Sequence, residues 1–418
     1  MRICIVDTFR NHHPVSGGHA IRVFNIAKWL SEQGHSVLLI RPGERSTSVQ
    51  ARRLKILSVG ADARFARLIR DVQVHLLPGL RHFQDSVSMN NPSTLRTLRA
   101  HIQSADLVQL EDPTLLGPLL IGKLYRKIII ADSDGVSSEV ARETFNMSSP
   151  GIRPLLAYAF ILLCERLSCR LSSRVVTSST GDRQTMSSLH HINQNKIAVV
   201  PNPFDTNIQT SETVDGASIR QSLGLSSETP TAIFVGDLRV QHNSEAVDYI
   251  VRMITNFRSL HDHKVRVIVV GKFDSLPERW KIPDLIFTGP VRDLAAYIGA
   301  SDVCIAPLFS QPTGIKTKVL TYLALGKTTV ATPAALIGLD ASVRKYVTGC
   351  SASDFPVVLL DKLTKDLNSA PNRTLSATVK SLYGADAVGR TYGREVLEYI
   401  KGETEIPGKP SLPHTSVS

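Results

Sequence analysis

Short runs of consecutive apolar residues, rich in Val and Ile, recur along the first half of the chain: Ile3–Val6, Val37–Ile40, Val72–Leu77, Leu107–Leu110, Ile128–Ala131, Val175–Thr177 and Ile197–Val200. A strand with one wet face alternates apolar and polar positions, whereas unbroken apolar runs fit strands buried on both faces of a parallel sheet. Longer stretches at helical spacing separate them, such as the pattern Ile21, Phe24, Asn25, Ala27, Leu30. The rhythm breaks between Pro201 and Thr231, where Pro, Asn, Ser and Asp gather. It restarts with Ala232–Val235, Val267–Val270, Leu285–Phe287, Val303–Pro307 and Thr329–Ala331, interleaved with amphipathic segments at Ser244–Phe257 and Val319–Leu325. Two such series predict an α/β chain of two doubly wound, Rossmann-like domains. Periodicity stops at Gly402, and the tail 402–418 is expected to be disordered.

A length of 418 residues allows two domains with ordinary cores, and 42 % hydrophobic against 20 % charged residues excludes a disordered chain. The five cysteines, Cys4, Cys164, Cys169, Cys304 and Cys350, show no Cys-x-x-Cys spacing. Free thiols in a reducing compartment are expected, rather than a zinc cluster or a disulfide framework. The opening MRICIVDTFR reads as a first strand ending at Asp7, not as a secretory leader. The longest apolar run, Leu155–Cys164, falls short of the ~20 residues of a membrane span, so a cytoplasmic chain is expected.

Charge narrows the partners. Lys and Arg exceed Asp and Glu by 48 to 37, giving +11 and favouring anions. No nucleic-acid module is recognisable, so nucleic acid is not an expected partner. Between 61 and 100, Arg64, Arg67, Arg70, Arg81, Arg96 and Arg99 are interspersed with Phe65, Leu68, Leu77, Leu80 and Phe83. That mixture suits either an anionic membrane surface or a helix face packed on the core.

Two segments carry phosphate chemistry. Ser16, Gly17 and Gly18 lie between the first strand and first helix, where glycine lets backbone N–H groups approach an anion. The full Gly-x-Gly-x-x-Gly fingerprint is missing, which disfavours a nicotinamide enzyme. The second is PTGIKTKVLTYLALGKTTVATPAALIGL at 312–339: Gly314 follows a strand, Lys316 and Lys318 occupy an exposed first helical turn, and Gly326 ends the helix. Lys318 and Thr321 share a face at i and i+3. Lysine has the wrong sign for a helix N-terminus, so paired lysines there imply an anionic ligand.

In order along the chain stand GGHAIRVFNIAKWLSEQGHSVLLI, DSDGVSSEVARE, RVVTSSTGDRQTM, KIAVVPNPFD, AIFVGDLRVQHNSEAVDYI, IFTGPVRDLAAYIGASDVCIAPL and GIKTKVLTYLALGK. Together they resemble the retaining glycosyltransferases of the GT-B fold, family 4 type, over nearly the whole chain. The resemblance implies an acceptor-side domain at 1–203 and a donor domain at 204–384 facing across a cleft, with a helix at 385–401 returning to the first domain. It implies a nucleotide-diphosphate sugar as co-substrate, a hydroxyl acceptor, and neither a resident cofactor nor a metal. Lys318 would hold the donor pyrophosphate. Thr313, Gly314, Ile315, Lys316, Thr317 and Thr321 would line the sugar, phosphate and ribose. Gly236 would open the donor domain, Gly289, Pro290 and Val291 would border the nucleobase, and Gly17 and Gly18 would approach the diphosphate.

Departures from the family pattern are informative. Two Glu of the family read here as Thr313 and Thr321, its Arg and Lys after the first donor-domain strand fall on Asp237 and His242, and its Asp-x-His histidine is Asp134. Arg239 is the nearest cationic replacement, and Asp134 faces the reacting sugar by the same resemblance. Retaining transfer without a covalent nucleophile is the leading reading; a catalytically weak GT-B binding or scaffold protein is the alternative, with a sugar-nucleotide epimerase behind it. Elsewhere, His12, His13 and His19 are expected to face solvent, His190 and His191 to lie at a helix surface, and Asp132, Asp134, Glu139 and Glu143 to bind no metal. Glu165 fits either a polar interior or a surface cap.

Overall fold

A computed structural model describes residues 1–8, 17–44, 46–60, 89–146, 152–205, 208, 216–261, 265–310, 313–367 and 369–404. Its chain forms two compact units. The first comprises Met1–Asn202, the short stretch Pro312–Gly314 and the chain from Ala385; the second comprises Pro203–Gln311 and Ile315–Gly384.

The first unit is built on strands β1 (Arg2–Val6), β2 (Ser36–Pro42), β3 (Ser46–Ala51), β4 (Leu54–Val59), β5 (Leu107–Leu110), β6 (Ile128–Asp132), β7 (Arg174–Thr177) and β8 (Ile197–Val199), in the order β3-β4-β2-β1-β5-β6-β7-β8. All pairs are parallel except the β3–β4 hairpin at the edge. The unbroken apolar runs are the central strands, buried on both faces. The β3–β4 hairpin is absent from the expected strands. Ser46–Ala51 is polar and exposed, and Leu54–Val59 interrupts its apolar residues with Lys55, so neither gives the two-faced signal. The expected strand at Val72–Leu77, and Arg64, Arg67, Arg70 and Arg81, lie outside the described residues.

Around this sheet pack α1 (Gly18–Glu32), α2 (Pro92–Ser104), α3 (Leu116–Leu124), α4 (Ser137–Asn146), α5 (Ile152–Leu171) and α6 (Thr180–His190). The second unit contains α7 (Gly216–Ser222), α8 (Gln241–His261), α9 (Leu294–Gly299), α10 (Thr317–Ala324), α11 (Ala341–Arg344), α12 (Phe355–Lys365) and α13 (Arg373–Tyr383). Its sheet is wholly parallel: β9 (Thr231–Val235), β10 (Arg266–Val270), β11 (Leu285–Gly289), β12 (Val303–Ala306), β13 (Thr329–Ala331) and β14 (Thr348–Gly349), in the order β11-β10-β9-β12-β13-β14. Asn372 caps α13, its side chain accepting from the Leu375 N–H.

The chain from Ala385 belongs to the first unit through α14 (Ala385–Tyr392), a π-helical turn (Gly393–Glu398) and α15 (Tyr399–Thr404). This last helix runs past Gly402, so the expected disordered tail begins too early by at least three residues. Glycine makes the docking of α14 possible. A Cβ at Gly389 would fall 2.2 Å from Trp29 Cγ, and one at Gly393 would fall 2.8 Å from the same indole. Their i, i+4 spacing forms a flat patch against the Trp29 ring of α1.

Overpacking of that patch is the weak point of the interface. Gly389→Ala is expected to lower stability by about 1–3 kcal/mol, because the indole has to move. Urea unfolding measures it, and a midpoint unchanged from the parent would refute the tight docking of α14 on Trp29.

Candidate functional site

Acids stand at the carboxyl ends of three neighbouring strands. Asp7 follows β1, Glu111 follows β5, and Asp132 ends β6 with Asp134 two residues on. At β1 the connections change side, with β2 to one flank and β5 to the other, the arrangement that opens a ligand crevice in α/β sheets. Gly17 caps α1 at φ 95, a conformation for glycine, with no side-chain cap. A Cβ there would meet nothing within 4 Å. The α1 N-terminus therefore offers amides and the positive end of its dipole to an anion.

Helix α1 supplies cations to the acids. Arg22 Nη2 donates to Asp132 Oδ1 at 2.8 Å, and its Nη1 donates to the Val200 carbonyl at 2.7 Å and to Asn202 Oδ1 at 3.0 Å. His19 Nε2 lies 2.9 Å from Asp7 Oδ1, while its Nδ1 lies 3.5 Å from Asp134 Oδ2. The i, i+3 spacing puts both cations on one face of the helix. Gln109 Nε2 donates to Glu111 and Asp132, and the Tyr392 hydroxyl donates to Gln109 Oε1. Burial pushes the Glu111 carboxyl up, and Asp132 adds repulsion; burial also raises Asp132 against the pull of Arg22. Burial works against charge on His19, but Asp7 and Asp134 outweigh it and hold the ring protonated well above its ordinary range. His19 is thus a largely enclosed imidazolium held between two carboxylates, not the solvent-facing loop residue expected, while His12 and His13 lie outside the described residues.

The segment after β6 is clamped from below. Glu165 of α5 accepts from the Ser137 N–H at 2.8 Å, the Ser138 N–H at 3.3 Å and the Ser138 hydroxyl, which caps α4. Glu165 also lies 2.9 Å from His190 Nε2, and both are buried. The expectation of a surface His190 fails, because its ring is held in the core by a carboxylate from another helix. Thr313 Oγ1 accepts from the Val136 N–H at 3.2 Å, and Gly314 N–H donates to Asp182 Oδ1 at 3.3 Å. Gly314 has φ 76, and a Cβ would fall 2.7 Å from the Asp134 carbonyl oxygen, so only glycine passes here.

In the second sheet the switch falls at β9, between β10 and β12. Gly236 follows β9; a Cβ at Gly236 would lie 2.7 Å from Asn243 Cγ, and one at Gly271 would lie 1.8 Å from the Gly236 carbonyl oxygen. Asn243 Nδ2 donates to the Asp237 carbonyl at 2.9 Å, and its Oδ1 accepts from Lys318 Nζ. Lys318 Nζ also lies 4.4 Å from the Phe234 ring centroid. Helix α10 starts with Lys316 as an N-cap that makes no side-chain cap bond, and its first turn has no acid. The Tyr322 hydroxyl accepts from the Val235 N–H at 2.8 Å, tying α10 to the end of β9.

Lys318 is half-buried, not exposed as expected, with its ammonium over the Phe234 ring and bonded to Asn243. Burial, and then repulsion from Lys316, pushes its ammonium down to about 7. Arg239 is exposed and forms a two-point pair with Asp237, at 2.9 Å from Nε and 2.6 Å from Nη2. Gly289 ends β11 at φ 71 and leads into Pro290 and Val291. The Ile315 side chain belongs to the core of the second unit. Thr317 begins α10, while Thr321 is 3 % exposed and its hydroxyl accepts from the Asp205 N–H at 3.4 Å.

Of the expected donor residues, Thr313 and Gly314 sit with the Asp134–Val136 segment of the first unit, whereas Lys316, Thr317 and Lys318 sit with Gly236 in the second. Residues not foreseen are Asn243, Arg22, Glu111 and Asp182. Asn243 gave a weak signal, a polar residue in the first turn after a Gly-Asp strand end. The others join elements far apart in sequence. Among the described residues, no group of three or more His, Cys, Asp or Glu is arranged to hold a metal.

Two family descriptions match the sequence: Glycosyltransferase Family 4 over residues 16–208, and Glycosyl transferases group 1 over residues 229–368. No curated protein matches in sequence. Sucrose-phosphate synthase of Thermosynechococcus elongatus is similar in structure at 13 % identity, covering 96 % of this chain and 99 % of that one, with a TM-score of 0.71. WaaG, a glycosyltransferase involved in lipopolysaccharide biosynthesis, is similar at 13 % identity, with 94 % and 99 % covered and a TM-score of 0.66. HepE of Anabaena, solved with UDP and glucose, is similar at 13 % identity, with 95 % and 99 % covered and a TM-score of 0.65. At such identity these likenesses show a shared GT-B fold.

The raised His19 pKa gives a stability difference with a definite sign. The folded chain holds that proton more tightly than the unfolded chain, so the contribution is complete below the ordinary value of about 6.5 and is lost as pH rises through the folded value. His19→Gln is therefore expected to be most destabilising near pH 6 and progressively less so in alkaline solution. Urea unfolding of both proteins across that range checks it; a difference independent of pH would rule out the imidazolium.

Proposed function

Because the chain belongs to the GT-B glycosyltransferases of the family 4 type, we propose that it is a retaining, metal-independent transferase. It moves a hexose from a nucleotide-diphosphate sugar to a hydroxyl acceptor. Lys318 carries this reading. A lysine at a helix N-terminus is set against the dipole, and Lys318 is further depressed by burial and by Lys316, while its contacts with Asn243 and Phe234 are neutral. A diphosphate relieves each of these costs at once. HepE solved with UDP and glucose supports a donor of that class.

Roles follow within each unit. Lys318, Lys316 and the α10 amides bind the diphosphate, with Thr317 at the first position of the helix. Gly236, Gly289, Pro290 and Val291 border the nucleoside. In the first unit, the Gly17 and Gly18 amides attract an anionic substrate group, and Asp134, held by the His19 imidazolium, meets the sugar. The departing phosphate oxygen takes the acceptor proton as the new glycosidic bond forms on the same face, through an oxocarbenium-like state. Orientation and charge neutralisation supply the rate, so no side chain need form a covalent bond. Arg239 contributes only as far as Asp237 releases it.

That last pairing favours a second reading, a weak or inactive GT-B binding protein, since Asp237 neutralises the one cation expected to replace the family's Arg and Lys. Donor hydrolysis measured without acceptor separates the two. For placement, no helix among the described residues is long and apolar enough to cross a membrane. The proposed setting is the cytoplasm, peripheral to the inner membrane face, with a lipid-linked or glycan hydroxyl as acceptor.

Lys318→Ala is expected to lower turnover about a hundredfold or more with folding preserved, the scale seen when one preorganised group facing developing charge is removed. Unchanged turnover at saturating donor would sink the assignment. The depressed pKa adds an independent signature. A bound diphosphate raises the Lys318 pKa, so binding takes up a proton above about pH 7 and affinity falls as pH rises from there. Calorimetry in buffers of different ionisation heat reads that proton; Lys318→Arg should bind without uptake, and absence of uptake by the parent at about pH 8 would contradict the role.

A further inference from the structure

Helix α5 presents an inverted pattern. Its buried stripe includes Ala157, Ile161, Cys164, Glu165 and Ser168, two of them polar and one a carboxylate. Its outward stripe is apolar: Ile152 is 73 % exposed, Leu155 64 %, Leu156 57 %, Phe160 47 % and Leu163 54 %. Spacings of three and four residues place them along one side over three turns, roughly 17 Å at 1.5 Å per residue. Neighbouring α3 packs on α5 and adds Leu120, 60 % exposed, and Leu124, 73 % exposed. Single exposed leucines are ordinary, but a contiguous stripe more apolar than the buried side of its own helix marks a surface that another phase or molecule covers.

The charges around it select the occupant. Glu165 is the one acid in Ile152–Leu171, and it is turned inward to cap α4 and meet His190. Exposed Lys123 follows Leu120 by three residues, Arg126 lies just beyond α3, and Arg170 is exposed in the last turn of α5. Lys196 Nζ donates to the Arg170 carbonyl at 2.9 Å and feels the charge of Lys123. Apolar residues flanked by cations match an acyl boundary below anionic headgroups. A two-fold contact with a second copy would set this cationic rim against itself. The stripe is too short to span a bilayer and long enough to lie in its interface.

We infer that the α5 stripe with Leu120 and Leu124 is the surface by which the protein docks on an anionic membrane. The inference rests on the peripheral placement proposed above, and it locates that contact on α3 and α5 rather than on the arginines between 61 and 88.

The test uses the full chain with vesicles of phosphatidylcholine alone or mixed equally with phosphatidylglycerol. A variant carrying Leu155→Ser, Leu156→Ser, Phe160→Ser and Leu163→Ser is compared with the parent by flotation, with nucleotide binding as the control for folding. The expected result is parent binding to the anionic vesicles that weakens with salt, at least about tenfold weaker binding by the variant, and unchanged nucleotide affinity. Phe160→Trp supplies a second readout: its emission should shift to the blue and be quenched by brominated acyl chains. Equal binding by parent and variant overturns the assignment of α5 while leaving peripheral placement standing. No binding by the parent overturns both, and neither result bears on glycosyl transfer. A Phe160→Trp emission already blue and unaltered by vesicles, or a dimer that the serine variant dissolves, shows a protein occupant and overturns the membrane.

Discussion

The first unit is organised around one buried ion pair, Arg22 with Asp132. Its guanidinium, fully buried, joins α1 to the end of β6 and to the carbonyls of Val200 and Pro201, where the chain leaves the sheet. Removing one partner of such a pair leaves a buried charge uncompensated, a cost of about 3–5 kcal/mol. Because α1 is fixed by Arg22, residues one turn earlier are fixed as well. His19 reaches Asp7 and Asp134, and Gly17 and Gly18 are set at the start of the helix. The same pair holds Asp132 two residues before Asp134, so the loop below the candidate sugar contact has both ends anchored, at Asp132 by Arg22 and at Ser137 by Glu165.

In the second unit the controlling constraint is close backbone approach. Gly236 and Gly271 allow the ends of β9 and β10 to meet, and this leaves the space in which Asn243 joins Asp237 to Lys318. A side chain at Gly236 would displace Asn243, the residue that binds the lysine, and one at Gly271 would collide with the Gly236 carbonyl. Tyr322 fixes the other end of the same lever by holding α10 to Val235. The lysine is therefore delivered by rigid elements, which suits a group that must be in place before charge develops.

Much of this was legible in the sequence for a physical reason. Parallel strands buried on both faces write unbroken apolar runs, and the glycine and paired lysines of 314–318 mark the start of the helix that carries Lys318. The edge hairpin β3–β4 escaped because a solvent-facing strand lacks that run, and the burial of His190 escaped because its partner Glu165 lies on another helix. The depth of Lys318 escaped for the same reason: Phe234 and Asn243, which cover and bind it, are distant in sequence. Local pattern reveals which side chains could act; the burial that sets their charge comes from partners that pattern cannot pair.

Comparing the cations of the two units separates structure from function. Arg22, buried, and His19, partly buried, both pair with carboxylates, which answer their charge within the fold and raise each pKa. Lys318 is held by an amide oxygen and an aromatic face, with a second lysine nearby, and its pKa falls. The first arrangement contributes stability in the free protein, whereas the second costs stability until an anion arrives. Carboxylates answer Arg22 and His19, whereas the half-buried Lys318 meets neutral contacts at a helix N-terminus, the environment in which a bound anion gains most. The residue to which that argument leads is Lys318, at the switch point of the second sheet, where an incoming diphosphate would supply the missing negative charge.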